Sequence, residues 1–191
     1  MARMIAETER LILRTERPGD QQVWLAHMNT PEVRAYLGGP RPAEAIADNF
    51  ARIAADWETK GISLAMIERK ADGLLLGDCG LGVIDSPEAP AALAGQWEIG
   101  WIIRHDCWRK GYAQEAARAM LARAFGPWDL PAVFAQTSLS NPPSWGLMEK
   151  LGMRRRADLD YGDSRYPAAD NPTIIYEMRR ADWTALSEDK S

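Results

Sequence analysis

Apolar residues recur along the chain at two periods, and the switches between them mark out strands and helices. Leu11, Ile12 and Leu13 inside ERLILRT form a short apolar run between charged flanks and predict a first strand. Pro18-Gly19-Asp20 then turns the chain. Val23, Trp24, His27 and Met28 follow at helical spacing, and Thr30-Pro31-Glu32 ends that helix and opens a second, short one, with proline at a first-turn position it tolerates. After GGPRP, Ala43, Ile46, Phe50, Ile53, Ala54 and Trp57 trace one helix face until Lys60-Gly61 stops it.

SLAMIER and LLLGDCGLGVI flank the turn Ala71-Asp72-Gly73 and predict an antiparallel hairpin. The Pro-, Ala- and Glu-rich stretch from Asp85 to Gly95 reads as an exposed loop, and QWEIGWII as a strand interrupted at Gly100. From Gly111 onward, Ala113, Ala116, Ala117, Met120, Leu121 and Ala124 share a helix face that Gly126-Pro127 terminates. AVFAQTSL is strand-like, Asn141-Pro142-Pro143-Ser144 opens a short helix through Leu151, and Gly152 ends it. Two last strands, near Met153 to Leu159 and Thr173 to Arg179, bracket a polar loop. No repeat, low-complexity tract or linker breaks this order, so the 191 residues predict one α+β domain, 1–191.

Composition removes several classes of function. Hydrophobic residues at 46% and charged residues at 26% belong to a chain that folds. A formal net charge of -4 lacks the basic field that nucleic-acid phosphates need, so no nucleic-acid partner is expected. MARMIAETERLILR places charges too close together for a signal peptide and no run approaches a membrane span, so no membrane partner is expected and the cytoplasm is the default. Cys79 and Cys107 cannot build a disulfide framework and point to a reducing compartment. His27 and His105 stand without clustered Cys or an HExxH pattern, so no metal site is expected.

The stretch IIRHDCWRKGYAQEAARAML carries the chemistry: a strand ends, a turn follows and a helix begins at or near Gly111. A helix start presents unpaired N–H groups and the positive end of the dipole, which suits phosphate. Gly111 admits a close approach to the backbone, small Ala113 keeps it open, and Arg104, Arg109 and Lys110 supply positive charge. By itself a glycine before a helix is more often ordinary turn chemistry. GLGVID imitates a dinucleotide fingerprint but lacks its third glycine and precedes no helix.

Around that turn, TERLILR, PEVRAYLGG, GDCGLG, WEIGWII, WRKGYAQEA and NPPSWGLMEKLGM follow one another over most of the chain. In this the sequence resembles the GNAT acetyltransferases, in particular the branch similar to the RimJ and RimL ribosomal-protein N-terminal acetyltransferases. The resemblance implies a GNAT-like, mixed, mostly antiparallel and splayed central sheet of about six to seven strands flanked by helices. It implies acetyl-CoA as the cofactor and acetyl transfer to a primary amine, either a peptide N-terminus or a small molecule. The pyrophosphate loop Gln/Arg-x-x-Gly-x-Gly/Ala falls on Trp108, Gly111 and Ala113, with Arg109, Lys110 and Tyr112 inside it. Trp108 departs from the pattern, so its backbone rather than its side chain is carried over.

The resemblance also implies that the WEIGWII strand and the next one splay, with the pantetheine arm pairing to backbone near Ile102 and Ile103. A backbone N–H around Ile99 to Trp101, at a bulge near Gly100, would polarise the thioester carbonyl and stabilise its oxyanion. Asn141 and Ser144 match a second cofactor motif, although Asn141 equally reads as a helix N-cap. Glu98 reads either as a strand glutamate in a cross-strand pair or as the group that collects the amine proton, directly or through water. An α-amino group with a pKa of about 8 demands little base strength. Many GNAT enzymes have a tyrosine where this chain has Met148, so Ser144 or a water becomes the substitute acid. Trp97, Trp101 and Trp145 are placed to line the cleft, and Cys107 reads as a loop residue. An acyl-CoA-binding protein without catalysis is the competing reading. Acceptor identity and oligomeric state, a homodimer included, stay open.

Overall fold

The computed structural model describes residues 2–188. Its strands are β1 (Met4–Glu7), β2 (Leu11–Arg14), β3 (Leu64–Arg69), β4 (Leu75–Val83), β5 (Trp97–Ile103), β6 (Ala132–Ser138), β7 (Arg154–Arg155) and β8 (Thr173–Arg179). The helices are α1 (Asp20–His27), α2 (Ala43–Thr59), α3 (Tyr112–Phe125), α4 (Pro142–Leu151) and α5 (Arg180–Glu188). One splayed sheet of eight strands runs in the order β1-β2-β3-β4-β5-β6-β8-β7. Its registered pairs are antiparallel except for β5 with β6, which run parallel and are registered at Glu98↔Phe134.

The chain divides into two compact units, one of Met1–Ala35, Gly39–Gly82 and Gly100–Met120, the other of Tyr36–Gly38, Val83–Ile99 and Leu121–Ser191. In the first, α2 buries Ile46, Phe50, Ile53 and Trp57, the single face that its spacing dictates. Trp24, Met28, Ile46, Phe50, Met66 and Leu75 make its cluster, with Trp24 and Phe50 edge to face at 6.2 Å and 79°. Buried Arg14 ties β2 to the start of α1 through two bonds to Asp20 (2.6 and 3.0 Å) and to β3 through Glu68 (2.8 Å). In the second unit Ile84, Leu93, Phe134, Leu159, Tyr161 and Ile175 pack together.

Backbone geometry demands glycine at Gly77. Between Ile67↔Gly77 and Glu68↔Leu75 strand β4 holds an extra residue, Leu76, and Gly77 takes φ 150. A Cβ there would lie 1.9 Å from Ile102 O. No substitution relieves that overlap without moving a strand, since the obstructing atom belongs to the main chain.

Four expectations need correction. The sheet has eight strands rather than six or seven, because the four-residue β1 pairs with β2 ahead of the expected first strand. The short helix after Thr30 does not form: Thr30 Oγ1 accepts from Val33 N (3.3 Å), but residues 30–38 continue as turns, closed where Arg34 Nε reaches Gly39 O at 2.7 Å. Strand β5 runs unbroken through Gly100, whose backbone lies outside the left-handed region. The strand expected from Met153 to Leu159 shrinks to Arg154–Arg155 before a 3-10 turn at Ala157–Leu159.

Candidate active site

A 3-10 turn, His105–Cys107, follows β5 and leads into the turn ahead of α3. Trp108 Nε1 donates to Ile103 O at 2.6 Å, and its ring meets His105 edge-on at 4.7 Å while remaining 40% exposed. Arg109 takes φ 59 and Gly111 φ 82, so two left-handed residues flank Lys110. Such alternation turns successive N–H groups toward one concave side, a shape that receives anions. A non-glycine residue in that region stores strain, which surrounding contacts must hold. The first helical bond of α3 is Glu115 N to Gly111 O, 3.0 Å, so the N–H groups of Tyr112, Ala113 and Gln114 precede the ladder at the positive end of the dipole. The Arg109 side chain is exposed, and Lys110 Nζ donates to Asp106 O at 2.9 Å.

Arg104 turns its charge elsewhere. It is buried, and its guanidinium meets Asp106 at 2.6 and 3.1 Å and His27 Nδ1 at 3.2 Å. That guanidinium holds the Asp106 carboxyl below its ordinary range, chiefly by hydrogen bonding. The backbone N–H of Arg104 donates to Leu76 O (2.8 Å), and Ile102 O faces Gly77. Strand alternation therefore turns the main chain of Ile102 and Arg104 toward β4 and that of Trp101 and Ile103 to the opposite edge. The Ile102 side chain packs on the Trp24 cluster, and Ile103 O is taken by the Trp108 indole. Cys107 is buried, as the thiol of a packed turn.

In the second unit, half-buried Glu98 is registered with Phe134, which places Glu98, Phe134 and Gln136 on one face. Tyr161 donates from its phenol to Gln136 Oε1 at 2.8 Å. Reciprocal main-chain bonds with Thr173, 3.2 and 2.9 Å, hold Tyr161 in place. Burial pushes the phenol up to about 12, with the Asp163 and Glu98 charges adding to that, so it is a neutral donor at ordinary pH. Asp163, 2% exposed, is forked by Arg165 at 3.0 and 2.8 Å, and that hydrogen bonding holds its carboxyl low. Gln136, on the face of Glu98, and Tyr161, bonded to it, are not among the residues the sequence singles out. A glutamine inside the otherwise apolar AVFAQ was a signal for the first, and nothing local marks the second.

Asn141 caps α4: its Oδ1 accepts from Ser144 N at 3.4 Å and its Nδ2 donates to Thr137 Oγ1 at 3.0 Å. The amide keeps a second Nδ2 hydrogen and a second lone pair for a ligand. Ser144 and Trp145 are half-buried, and Trp145 Nε1 donates to Leu139 O at 3.2 Å. Met148, at 1% exposure, is a core residue. Trp97 and Trp101 are both half-buried on β5. Among the described residues no group of three or more His, Cys, Asp and Glu side chains is placed to hold a metal, and no helix is long and apolar enough to cross a membrane.

A family model described as an acetyltransferase (GNAT) domain matches residues 10–154. The N-acetyltransferase p20 of Bacillus licheniformis, itself uncharacterised, is 28% identical over 158 residues, which cover 81% of this chain and 85% of p20. The solved acetyltransferase from Agrobacterium tumefaciens str. C58 is 26% identical with a TM-score of 0.73, over 91% of this chain and 92% of that one. A spermidine N-acetyltransferase from Vibrio cholerae, solved with CoA and spermine, shares the fold at 16% identity and a TM-score of 0.72, over 93% of this chain and 99% of that one.

Proposed function

Because the chain belongs to the acetyltransferase (GNAT) family, we propose that it moves an acetyl group from acetyl-CoA to a primary amine, a peptide N-terminus or a small molecule, by direct attack in a ternary complex. That it is an N-acetyltransferase is supported by the family model and by a relative described as an N-acetyltransferase. The acceptor class, the RimJ/RimL-like branch, a cytoplasmic setting, one domain over 1–191 and the residue roles make up the proposal. Its main support is the turn Trp108 to Ala113, where left-handed Arg109 and Gly111 lead into the start of α3. These residues fit a diphosphate: they combine main-chain donors, the positive helix end and the charges of Arg109 and Lys110.

Acetyl-CoA, when bound, supplies a thioester carbonyl activated toward amines. The chain's own groups then have separable tasks. Tyr112, Ala113 and Gln114 offer N–H donors, while Trp108 braces the turn against Ile103 O. The outward edge offers the main chain of Trp101 and the N–H of Ile103 to an extended arm, with the Trp101 N–H as the donor for a developing oxyanion. Ile102 supports that edge through packing and Arg104 through its pair with Asp106. Asn141 and Ser144 hold the arm from α4, with Ser144 or a water protonating the thiolate. Glu98 accepts the proton of the amine. The Vibrio cholerae fold relative, named for spermidine, supports an amine acceptor.

The test is release of free thiol from acetyl-CoA with a panel of peptide and small-molecule amines. Release that depends on an amine and drops at least about 100-fold in Glu98→Gln is expected. Binding of CoA without release by any amine would instead favour a second reading, a non-catalytic acyl-CoA binder, for which core-facing Met148 speaks because it leaves no phenol at that point of α4.

A further inference from the structure

The first turn of α3 is anchored to the β1–β2 turn, more than 100 positions away in sequence. Thr8 Oγ1 donates to Glu115 Oε1 at 2.6 Å, Arg10 N to the same oxygen at 3.0 Å, and Arg10 Nε to Oε2 at 2.7 Å. Arg10 Nη1 also donates to Lys110 O at 3.0 Å, and its guanidinium lies 4.6 Å from the centre of the Tyr112 ring. A Cβ on Gly111 would stand 3.3 Å from Arg10 Nη2. One arginine therefore touches the carbonyl of the residue between the two left-handed positions, the glycine, the first helical residue and the first-turn carboxylate. Lys70 Nζ, donating to Thr8 O at 2.6 Å, braces this turn from behind.

We propose that Arg10, seconded by Thr8, is a positioning residue for the nucleotide end of acetyl-CoA, setting the shape of the turn through Lys110 O and cancelling the Glu115 charge. This rests on the proposed function. Both parts have a physical basis. Arg109 in the left-handed region needs outside contacts to persist, and the bond to Lys110 O supplies one beside it. An unpaired carboxylate in the first helical turn would take the favourable potential of the dipole for itself and repel a diphosphate there. Glu115 is instead paired: burial opposes its charge, but the Thr8 and Arg10 hydrogen bonds outweigh that and keep its carboxyl below the ordinary range.

The test compares Arg10→Met, Glu115→Gln and the double variant. In Arg10→Met, KM for acetyl-CoA and the calorimetric Kd for CoA rise about tenfold while kcat stays within about twofold. Acetyl-pantetheine, which lacks the diphosphate, keeps its kcat/KM in the same variant, a split that general loosening of the fold would not produce. The double variant binds CoA more tightly than Arg10→Met alone, because it removes the unpaired charge. Equal losses with both donors, or an unchanged Kd for CoA, overturns the inference. Amide hydrogen exchange over residues 109–116 of the ligand-free chain gives an independent reading and speeds up in Arg10→Met. Unchanged exchange sinks the positioning role even if no amine is acetylated, whereas a wild-type chain that does not bind CoA refutes the proposed function instead.

Discussion

Asp78 lies at 5% exposure on β4, where its Oδ2 accepts from Trp24 Nε1 at 2.6 Å. Burial pushes its carboxyl up to about 6, against the smaller opposing effects of the Trp24 bond and the Arg34 charge. An unfolded aspartate titrates near 3.9, so between roughly pH 4 and 6 the folded chain holds more protons than the unfolded one. Stability therefore falls as pH rises through that window and levels off above it. Moving the carboxyl that far costs its ionised form roughly 3 kcal/mol, of which about 2–3 kcal/mol is lost between pH 4 and pH 8. Asp78→Asn keeps a carbonyl for Trp24 and has no proton to lose. Arg34 faces a neutral neighbour both in the variant and in the acid form of the parent, so the pH dependence isolates the cost of ionisation. Urea unfolding of both proteins at pH 4 and pH 8 should show the stability difference moving in the variant's favour by roughly 2–3 kcal/mol on going to the higher pH. Parallel curves, with the same difference at both pH values, would refute the reasoning.

Gly77→Ala forces its methyl into Ile102 O and should cost more than about 4 kcal/mol, seen as loss of soluble folded protein or a collapsed urea midpoint; a midpoint close to the parent's would contradict the close strand approach. Asn141→Ala removes the cap on Ser144 N and should cost about 1 kcal/mol in urea unfolding, together with weaker binding of CoA by calorimetry. Tyr161→Phe keeps the ring in its apolar cluster and loses the bond to Gln136, so it should cost about 1 kcal/mol in urea unfolding while leaving the Kd for CoA unchanged. An unaltered urea midpoint would show that the Gln136 bond adds nothing to stability.

Periodicity made the long elements legible, because α2 and α3 each bury one face at three-to-four spacing and stop at glycine. The start of α4 was equally readable from Asn141 and the two prolines, since capping is local chemistry. Strand β1 escaped because four residues, with only Ile5 buried, carry no usable period. The segment after Thr30 carried a helix-opening signal that turns overrode, once Arg34 bonded back to Gly39. The turn ahead of α3 could be read from Gly111, its use as a phosphate site rested on the resemblance, and the partners of charged side chains could not be read at all. Arg104 is spent on Asp106, and Arg10 comes to α3 from a distant turn. Tyr161 meets Gln136 only through tertiary packing, for which no spacing rule exists.

The proposed acetyl-CoA site rests above all on main-chain amides at the head of α3 gripping a diphosphate. Calorimetric titration of the full chain with CoA, run beside Gly111→Val, tests this most directly. The prediction is saturable one-to-one binding with a micromolar Kd, on the order of -8 kcal/mol, that the valine variant loses by at least about 100-fold. No binding by the parent chain at millimolar CoA, or equal binding by both proteins, would contradict it.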